Sequence, residues 1–311
     1  MADTGLRIKD AYGIRYADSC LCQVTSFVLI LRAEWEWRTI MEHMYITKDP
    51  RLAEICDRIG IERVWIDLEW KGKELRQKNM DSVKSKHKIE DILQVKKVLK
   101  NAKLQVRINP MDDDSEMEIR RAIDAGADML MVPMLKSESQ AEAFSEIVEG
   151  RVPTILLLET KEAQREAEAL VKGGYFDEVH VGLNDLSLAY GYSFMFQVLA
   201  DGTVDRLVDV FSKYQIPYGF GGVAKIGQGA LPAEMVLGEH GRLGSERVIL
   251  SRSFFSMEKE MDYDMAERIL QEEFEKIRSA ELEIGAWNGE KYEENRKKVE
   301  EVTMDIVKAQ S

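Results

Sequence analysis

The sequence predicts an α/β fold, a (β/α)8 TIM barrel with a C-terminal helical extension, on three observations. From His43 onward, short strand-like runs alternate with longer helix-like stretches. The strand-like runs are nearly all apolar instead of alternating, which is how a strand covered on both faces reads. Finally, eight such units fall within about 210 residues, close to the usual size of this barrel. A doubly wound open sheet is the structural alternative. It would normally carry a glycine-rich turn after its first strand, and none follows Met44–Thr47.

In chain order, the predicted strands are Met44–Thr47, Arg63–Glu69, Leu104–Asn109, Met129–Met134, Thr154–Glu159, Glu178–Asn184, Ile216–Gly222 and Arg247–Arg252. Helical patterns such as Arg51–Ile59, Ile89–Leu99, Glu116–Ala125 and Ser137–Val148 lie between them. Three segments follow: an N-terminal extension over 1–42, a catalytic barrel over 43–256 and a helical extension over 257–311. The last segment is highly charged but repeats Met261, Met265, Ile269, Phe274 and Ile277 at helical intervals, and then Tyr292, Val299, Val302 and Ile306. Such a stripe needs something to pack on, and a neighbouring subunit is one candidate.

Composition narrows the function. The 311 residues hold 43 Lys and Arg against 56 Asp and Glu, a net charge of −13. That balance disfavours nucleic acid and anionic membrane as partners, since both require a basic footprint. Cys20, Cys22 and Cys56 are too few and too close for a disulfide framework, and no Cys or His pair stands at zinc spacing. The longest early apolar run, Val24–Leu31, is far short of a membrane span and lacks a basic leader, so a cytoplasmic protein is expected.

In such a barrel, polar side chains at the carboxyl ends of strands point into the site. Strand two ends Asp67-Leu68-Glu69-Trp70, strand three Arg107-Ile108-Asn109, strand five Glu159-Thr160, and strand six Gly182-Leu183-Asn184-Asp185. Four carboxylates and one arginine therefore converge on one mouth. Glu159 and Asp185 lie one strand–helix unit apart, on adjacent strands. Two such carboxylates with open positions suit Mg²⁺ or Mn²⁺, with Co²⁺ a further option. Arg107 offers a fixed fork for a carboxylate or an enolate oxygen. The competing reading is a set of structural ion pairs at the rim, with Asp185 capping the short helix after strand six.

Ile66-Asp67-Leu68-Glu69, Val106-Arg107-Ile108-Asn109, Ala125-Gly126-Ala127-Asp128 leading to Met131-Val132-Pro133-Met134, Leu158-Glu159-Thr160 and Val181-Gly182-Leu183-Asn184-Asp185-Leu186-Ser187 occur in register. Over roughly 44–256 the chain resembles the HpcH/HpaI metal-dependent pyruvate aldolases, grouped with citrate lyase beta subunits and malyl-CoA lyases. The resemblance implies a phosphoenolpyruvate/pyruvate-type barrel in which Glu159 and Asp185 bind a divalent metal and Arg107 stabilises an enolate oxygen. It also implies that backbone amides around Gly182, Leu183, Asn184 and Asp185 hold the carboxylate of pyruvate, and that Glu69 supports the metal's water shell. Family members are commonly trimers or hexamers.

One position departs from the pattern. The aldolases carry a histidine shortly after strand two, paired with an aspartate, where this chain has Trp70. His87, in the loop after strand two, is a replacement candidate; the alternative is a solvent-exposed histidine at a helix start. Trp70 either walls the pocket or packs in the core. Gly219-Phe220-Gly221-Gly222, Gly227 and Gly229, with Lys225 and Arg252, form a glycine-rich, basic region at strands seven and eight. It suits a phosphorylated substrate arm if the glycines cradle phosphate, and tight packing if they do not.

The function expected from these readings is a divalent-metal-dependent carbon–carbon lyase of class II aldolase type, acting on pyruvate or a related 2-keto acid and an aldehyde. The alternatives are a citrate or acyl-CoA lyase or thioesterase on the same platform, and a non-catalytic barrel.

Overall fold

The computed structural model describes residues 41–72, 87–255 and 262–310. Eight strands close a parallel barrel in sequence order: β1 (Glu42–Ile46), β2 (Arg63–Asp67), β3 (Lys103–Arg107), β4 (Met129–Val132), β5 (Thr154–Leu158), β6 (Glu178–Val181), β7 (Tyr218–Val223) and β8 (Arg247–Leu250), with β8 pairing back onto β1. The helices between them are α1 (Pro50–Ile59), α2 (Ile89–Lys96), α3 (Ser115–Asp124), α4 (Glu138–Val148), α5 (Lys161–Arg165), α6 (Ala167–Lys172), α7 (Leu183–Tyr190), α8 (Gln197–Ala200), α9 (Thr203–Lys213) and α10 (Ala233–Leu243). Two long helices, α11 (Tyr263–Gly285) and α12 (Gly289–Gln310), follow the barrel. The closed parallel barrel is the predicted fold. Among the described residues no helix is long and apolar enough to cross a membrane.

Local chemistry sets the element ends. Asp49 caps α1 by accepting from the amides of Arg51 and Leu52, Pro50 opens the helix, and Gly60 closes it in the left-handed region at φ 90°. The strands end earlier than predicted: β2 stops at Asp67, β3 at Arg107 and β6 at Val181. Beyond those points the chain leaves the ladder, which frees Glu69, Asn109 and Gly182–Asp185 to form the rim.

The glycines of the 219–222 run lie inside β7. A methyl on Gly219 would meet the Arg247 carbonyl oxygen at 2.4 Å, so close strand approach explains that glycine.

The barrel interior is layered. At the amino end of the strands, Arg63 donates to Glu178 at 2.7 and 2.9 Å and to Glu42, while Arg247 pairs with Glu178 at 3.0 Å. Above it sits an apolar layer of Met44, Trp65, Met129, Met131, Ile155 and Leu157. The carboxyl-end layer holds the predicted site.

The apolar stripe of the C-terminal segment finds its partner within the chain. Ala266, Leu270, Phe274, Ile277 and Ile284 of α11 and Val299 of α12 are buried in the same core cluster as the barrel's outer shell. Each large side chain buried this way contributes about 1.5–3 kcal/mol. Met265 remains 47% exposed, and Met261 lies outside the described residues. Polar contacts fix the dock: Arg58 donates to both carboxylate oxygens of Glu267 at 2.6 Å, and buried His43 lies between Glu62 and Glu281. The run Val24–Leu31 and Cys20 and Cys22 also lie outside the described residues, and Cys56 is a buried free thiol.

Candidate active site at the barrel mouth

Parallel pairing sets Asp67 and Arg107 side by side on β2 and β3. Arg107 Nε and Nη2 each donate to one oxygen of Asp67 at 2.8 Å, and Nη1 lies 3.4 Å from Glu69 Oε2. This bidentate grip fixes the guanidinium plane. Burial alone would lower the pKa of Arg107, but the charges of Asp67, Glu69 and Glu159 outweigh it and raise it further above its ordinary value. Its guanidinium carbon also sits 5.1 Å from the centroid of the Trp65 ring.

Glu159, just past the end of β5, is 3% exposed and accepts from the Met134 amide at 3.1 Å. Met134 adopts φ 54°, unusual for a side chain of its size, and this backbone turn aims its N–H at the carboxylate. Burial, and then the Asp185 and Glu69 carboxylates, push the Glu159 carboxyl well above the usual carboxylate range, against the pull of Arg107. Asp185 lies in the first turn of α7, whose cap is Gly182 without any side-chain cap bond. Asp185 is therefore not the helix cap that the competing reading required.

Arg107, Glu159, Gly182, Leu183, Asn184, Asp185 and Arg252 all line one cavity of about 240 Å³ at this end of the barrel. Asp67 and Glu69 stand behind it, against Arg107. The other predicted residues fall elsewhere. The Trp70 side chain is 65% exposed and does not line the cavity; neither does Lys225. Trp70 fails as a pocket wall because its amide, with that of Lys71, is held at 3.0 Å by the Asn109 side-chain oxygen, which leaves the indole outside. His87 is half-buried, not a solvent-exposed helix-start residue. Its Nδ1 accepts from the Asp67 amide at 2.9 Å, so the neutral ring carries its proton on Nε2. It braces the end of β2 and does not line the cavity.

Asn109 matters in a way that sequence reading missed. It clamps the Trp70–Lys71 backbone, while its own amide groups donate to Glu118 of α3 at 2.7 and 3.1 Å. Trp65 and His180, in mid-strand, also line the cavity. The signal available for them was strand alternation, which points both inward.

A divalent cation fits the residues present. Among the described residues no three His, Cys, Asp or Glu side chains form a metal cluster; the donor set is the Glu159 and Asp185 pair. Its mutual repulsion is what a cation relieves, and two protein ligands leave positions for water and substrate oxygens, as Mg²⁺ prefers. Gly182 preserves the space: a methyl there would stand 2.8 Å from both Cβ and Oε2 of Glu159.

Comparison with known proteins agrees with this geometry. The family profile HpcH/HpaI aldolase/citrate lyase matches residues 44–195. Comparison with the curated proteins finds no match. Among solved structures, the chain is similar to an HpcH/HpaI aldolase from Desulfitobacterium hafniense DCB-2, at 16% identity and TM-score 0.51, covering 72% of this chain and 89% of that one. It is similar to an HpcH/HpaI aldolase/citrate lyase family protein from Burkholderia cenocepacia J2315, at 13% identity and TM-score 0.55, covering 79% and 99%. It also resembles a citrate lyase beta subunit from M. tuberculosis, solved with oxaloacetate and magnesium, at 14% identity and TM-score 0.50, covering 76% and 99%. At such identities the structures speak for the fold alone, and the profile match carries the family. Residues 44–195 therefore form an HpcH/HpaI aldolase/citrate lyase domain.

Proposed function

We propose that this protein is a divalent-metal-dependent carbon–carbon lyase that forms or cleaves the bond next to the keto group of pyruvate or a related 2-keto acid, with an aldehyde as the second reactant. The observation that carries the reading is Arg107, gripped in a fixed plane by Asp67 and facing the same small cavity as Glu159 and Asp185. Glu159 and Asp185 hold the metal, Mg²⁺ or Mn²⁺, which supplies a Lewis acid to the substrate's oxygens when bound. Reaction at the carbon beside a ketone builds negative charge on the keto oxygen, and Arg107 stabilises that charge without having to reorganise. Asp67 and Glu69 act through Arg107 as positioning residues, and His87 holds the backbone of Asp67. The amides at Gly182–Asp185, at the start of α7, bind the substrate carboxylate. Arg252 attracts an anionic arm from the cavity edge; Lys225, away from the wall, has no direct role in this reading.

The magnesium and oxaloacetate of the citrate lyase beta subunit support the metal and the keto-acid class. Citrate-lyase-type cleavage on an acyl-CoA is the second reading, and the small cavity favours a free keto acid over it. A trimeric or hexameric assembly belongs to the same proposal. It is supported by Leu282 at 74% exposure and Met304 at 54% on the outer helices, and sedimentation velocity tests it.

Deuterium exchange at the pyruvate methyl group, followed by NMR with and without Mg²⁺ or Mn²⁺, tests the chemistry. Metal-dependent exchange that disappears in Glu159→Gln and Asp185→Asn is expected. Absence of exchange with every divalent metal overturns the reading, and activity on acyl-CoA thioesters alone transfers it to the second.

A further inference from the structure

β4 and β5 pair as far as Val132 opposite Leu156, and past that point β4 turns away from its neighbour through Pro133, Met134 and Leu135. Met134 takes φ 54°, in the left-handed region that a side chain of its size avoids, because its Cβ crowds the backbone there. Glu149 and Gln215 share the region, but they follow the ends of α4 and α9, where a left-handed residue is common. Met134 follows a strand. Its side chain does not line the cavity, so what the strain provides is a direction for the backbone. Strained backbone persists only where its surroundings hold it, and it gathers at working sites.

Two bonds hold this turn, and both come from the residues just past β5. Met134 donates its amide to Glu159 Oε1 at 3.1 Å, and the Thr160 hydroxyl donates to the Leu135 carbonyl oxygen at 2.6 Å. Leu135, Glu159 and Thr160 are 1%, 3% and 4% exposed, so bulk water is a poor substitute for either bond. Thr160 also accepts from the Ala163 amide at 3.0 Å, which ties the turn to the start of α5. The two oxygens of Glu159 therefore have different surroundings. Oε1 is engaged by the amide. Oε2 lies beside Gly182, where even a methyl would stand 2.8 Å from it, in the segment that leads to Asp185. Asp185 and Glu69 repel this carboxylate, and the amide holds it against them. Had β4 simply continued its ladder, the same amide would have found a backbone carbonyl on β5 with no strained residue.

We propose that the Pro133–Leu135 turn is a positioning device for Glu159: the Met134 amide holds Oε1, Oε2 is the atom presented to the divalent cation, and the Thr160 hydroxyl locks the turn in its strained form. Met134 and Thr160 are positioning residues, acting through Glu159. The carboxylate is thereby set before the cation arrives, and binding spends nothing on ordering it. The proposal rests on the reading of Glu159 as a metal ligand for its purpose, and on the two bonds of the turn for the device.

Calorimetric titration of the metal-free protein with Mn²⁺ tests it on two independent pairs of variants. Thr160→Val keeps the side-chain shape and loses the hydroxyl, which Thr160→Ser keeps. Met134→Val brings a β-branched side chain that is shut out of the left-handed region, and Met134→Asn brings one that settles there readily. Thr160→Val and Met134→Val are expected to weaken Mn²⁺ binding about tenfold or more, as loss of a ligand's supporting bond does. Thr160→Ser and Met134→Asn are expected to retain most of the wild-type affinity. Either pair suffices if a member of the other fails to fold by circular dichroism. Thermal unfolding beside the titration separates the device from a merely structural contact. Lower unfolding temperatures in the two valine variants, with Mn²⁺ affinity unchanged, overturn the proposal. So does a loss as large in Met134→Asn as in Met134→Val, because the side chain and not the backbone would then be what counts. Glu159→Gln tells the two readings apart. Wild-type affinity in Glu159→Gln, or no Mn²⁺ binding by the wild type, sinks the reading of Glu159 as a ligand. Loss in Glu159→Gln with wild-type affinity in both valine variants sinks the turn alone.

Discussion

Gly182 and Glu159 meet so closely that the smallest side chain would part them: a methyl group on Gly182 lies 2.8 Å from Glu159 Oε2. Gly182→Ala is expected to displace the carboxylate and weaken divalent-metal binding by on the order of tenfold to a hundredfold, the usual cost of disturbing a metal's supporting contacts. Titration calorimetry with Mn²⁺ measures it, and unchanged affinity with an intact circular dichroism spectrum refutes it.

The Arg107–Asp67 pair is buried at 13% and 4% side-chain exposure. Removing one partner strands the other. Asp67→Ala should cost about 3–5 kcal/mol of stability in urea unfolding. Arg107→Lys keeps the charge but loses the fork, and methyl exchange should slow by about a hundredfold or more. Exchange at the wild-type rate in Arg107→Lys would remove Arg107 from the chemistry.

Asn109 joins the Trp70–Lys71 backbone to Glu118. Asn109→Ala removes the Nδ2 donor from the half-buried Glu118 carboxylate and the acceptor from two amides, at about 1–3 kcal/mol. Faster amide hydrogen exchange at Trp70 and Lys71 than in the wild type is the expected signature. Unchanged protection there argues against the clamp.

His43 ties β1 to α11, with Nε2 2.6 Å from Glu281 and Nδ1 3.3 Å from Glu62. Burial disfavours the charged ring, but the two carboxylates outweigh it and raise the pKa above its ordinary value. The folded state therefore binds the proton more tightly than the unfolded chain. The stabilisation is complete below the unfolded pKa of about 6.5 and is lost as pH rises through the folded one. Thermal unfolding should show a steeper loss of stability from pH 6 to pH 9 in the wild type than in His43→Gln. Parallel curves for the two proteins would contradict this.

The fold was legible because eight strands covered on both faces leave apolar runs, and because no glycine-rich turn of an open doubly wound sheet follows the first of them. That Glu159, Asp185 and Arg107 would meet at one cavity was legible for a related reason: polar residues at the carboxyl ends of barrel strands face the same mouth. What stayed hidden depends on contacts across the chain. Trp70 read as a pocket wall or a core residue, and it is neither, because Asn109 holds its backbone with the indole turned outward. The glycines of β7 left a phosphate cradle and tight packing both open, and the Arg247 backbone beside Gly219 explains that glycine by packing.

The ion-paired layer of Arg63, Glu178 and Arg247 closes the barrel from beneath. Among the described residues, the chamber above it is thus closed at that end. In the proposed two-reactant chemistry, the reactant seated deeper must enter first, and its remnant must depart last. Steady-state kinetics should accordingly be ordered rather than random, with the second reactant acting as a cork when it arrives alone and in excess.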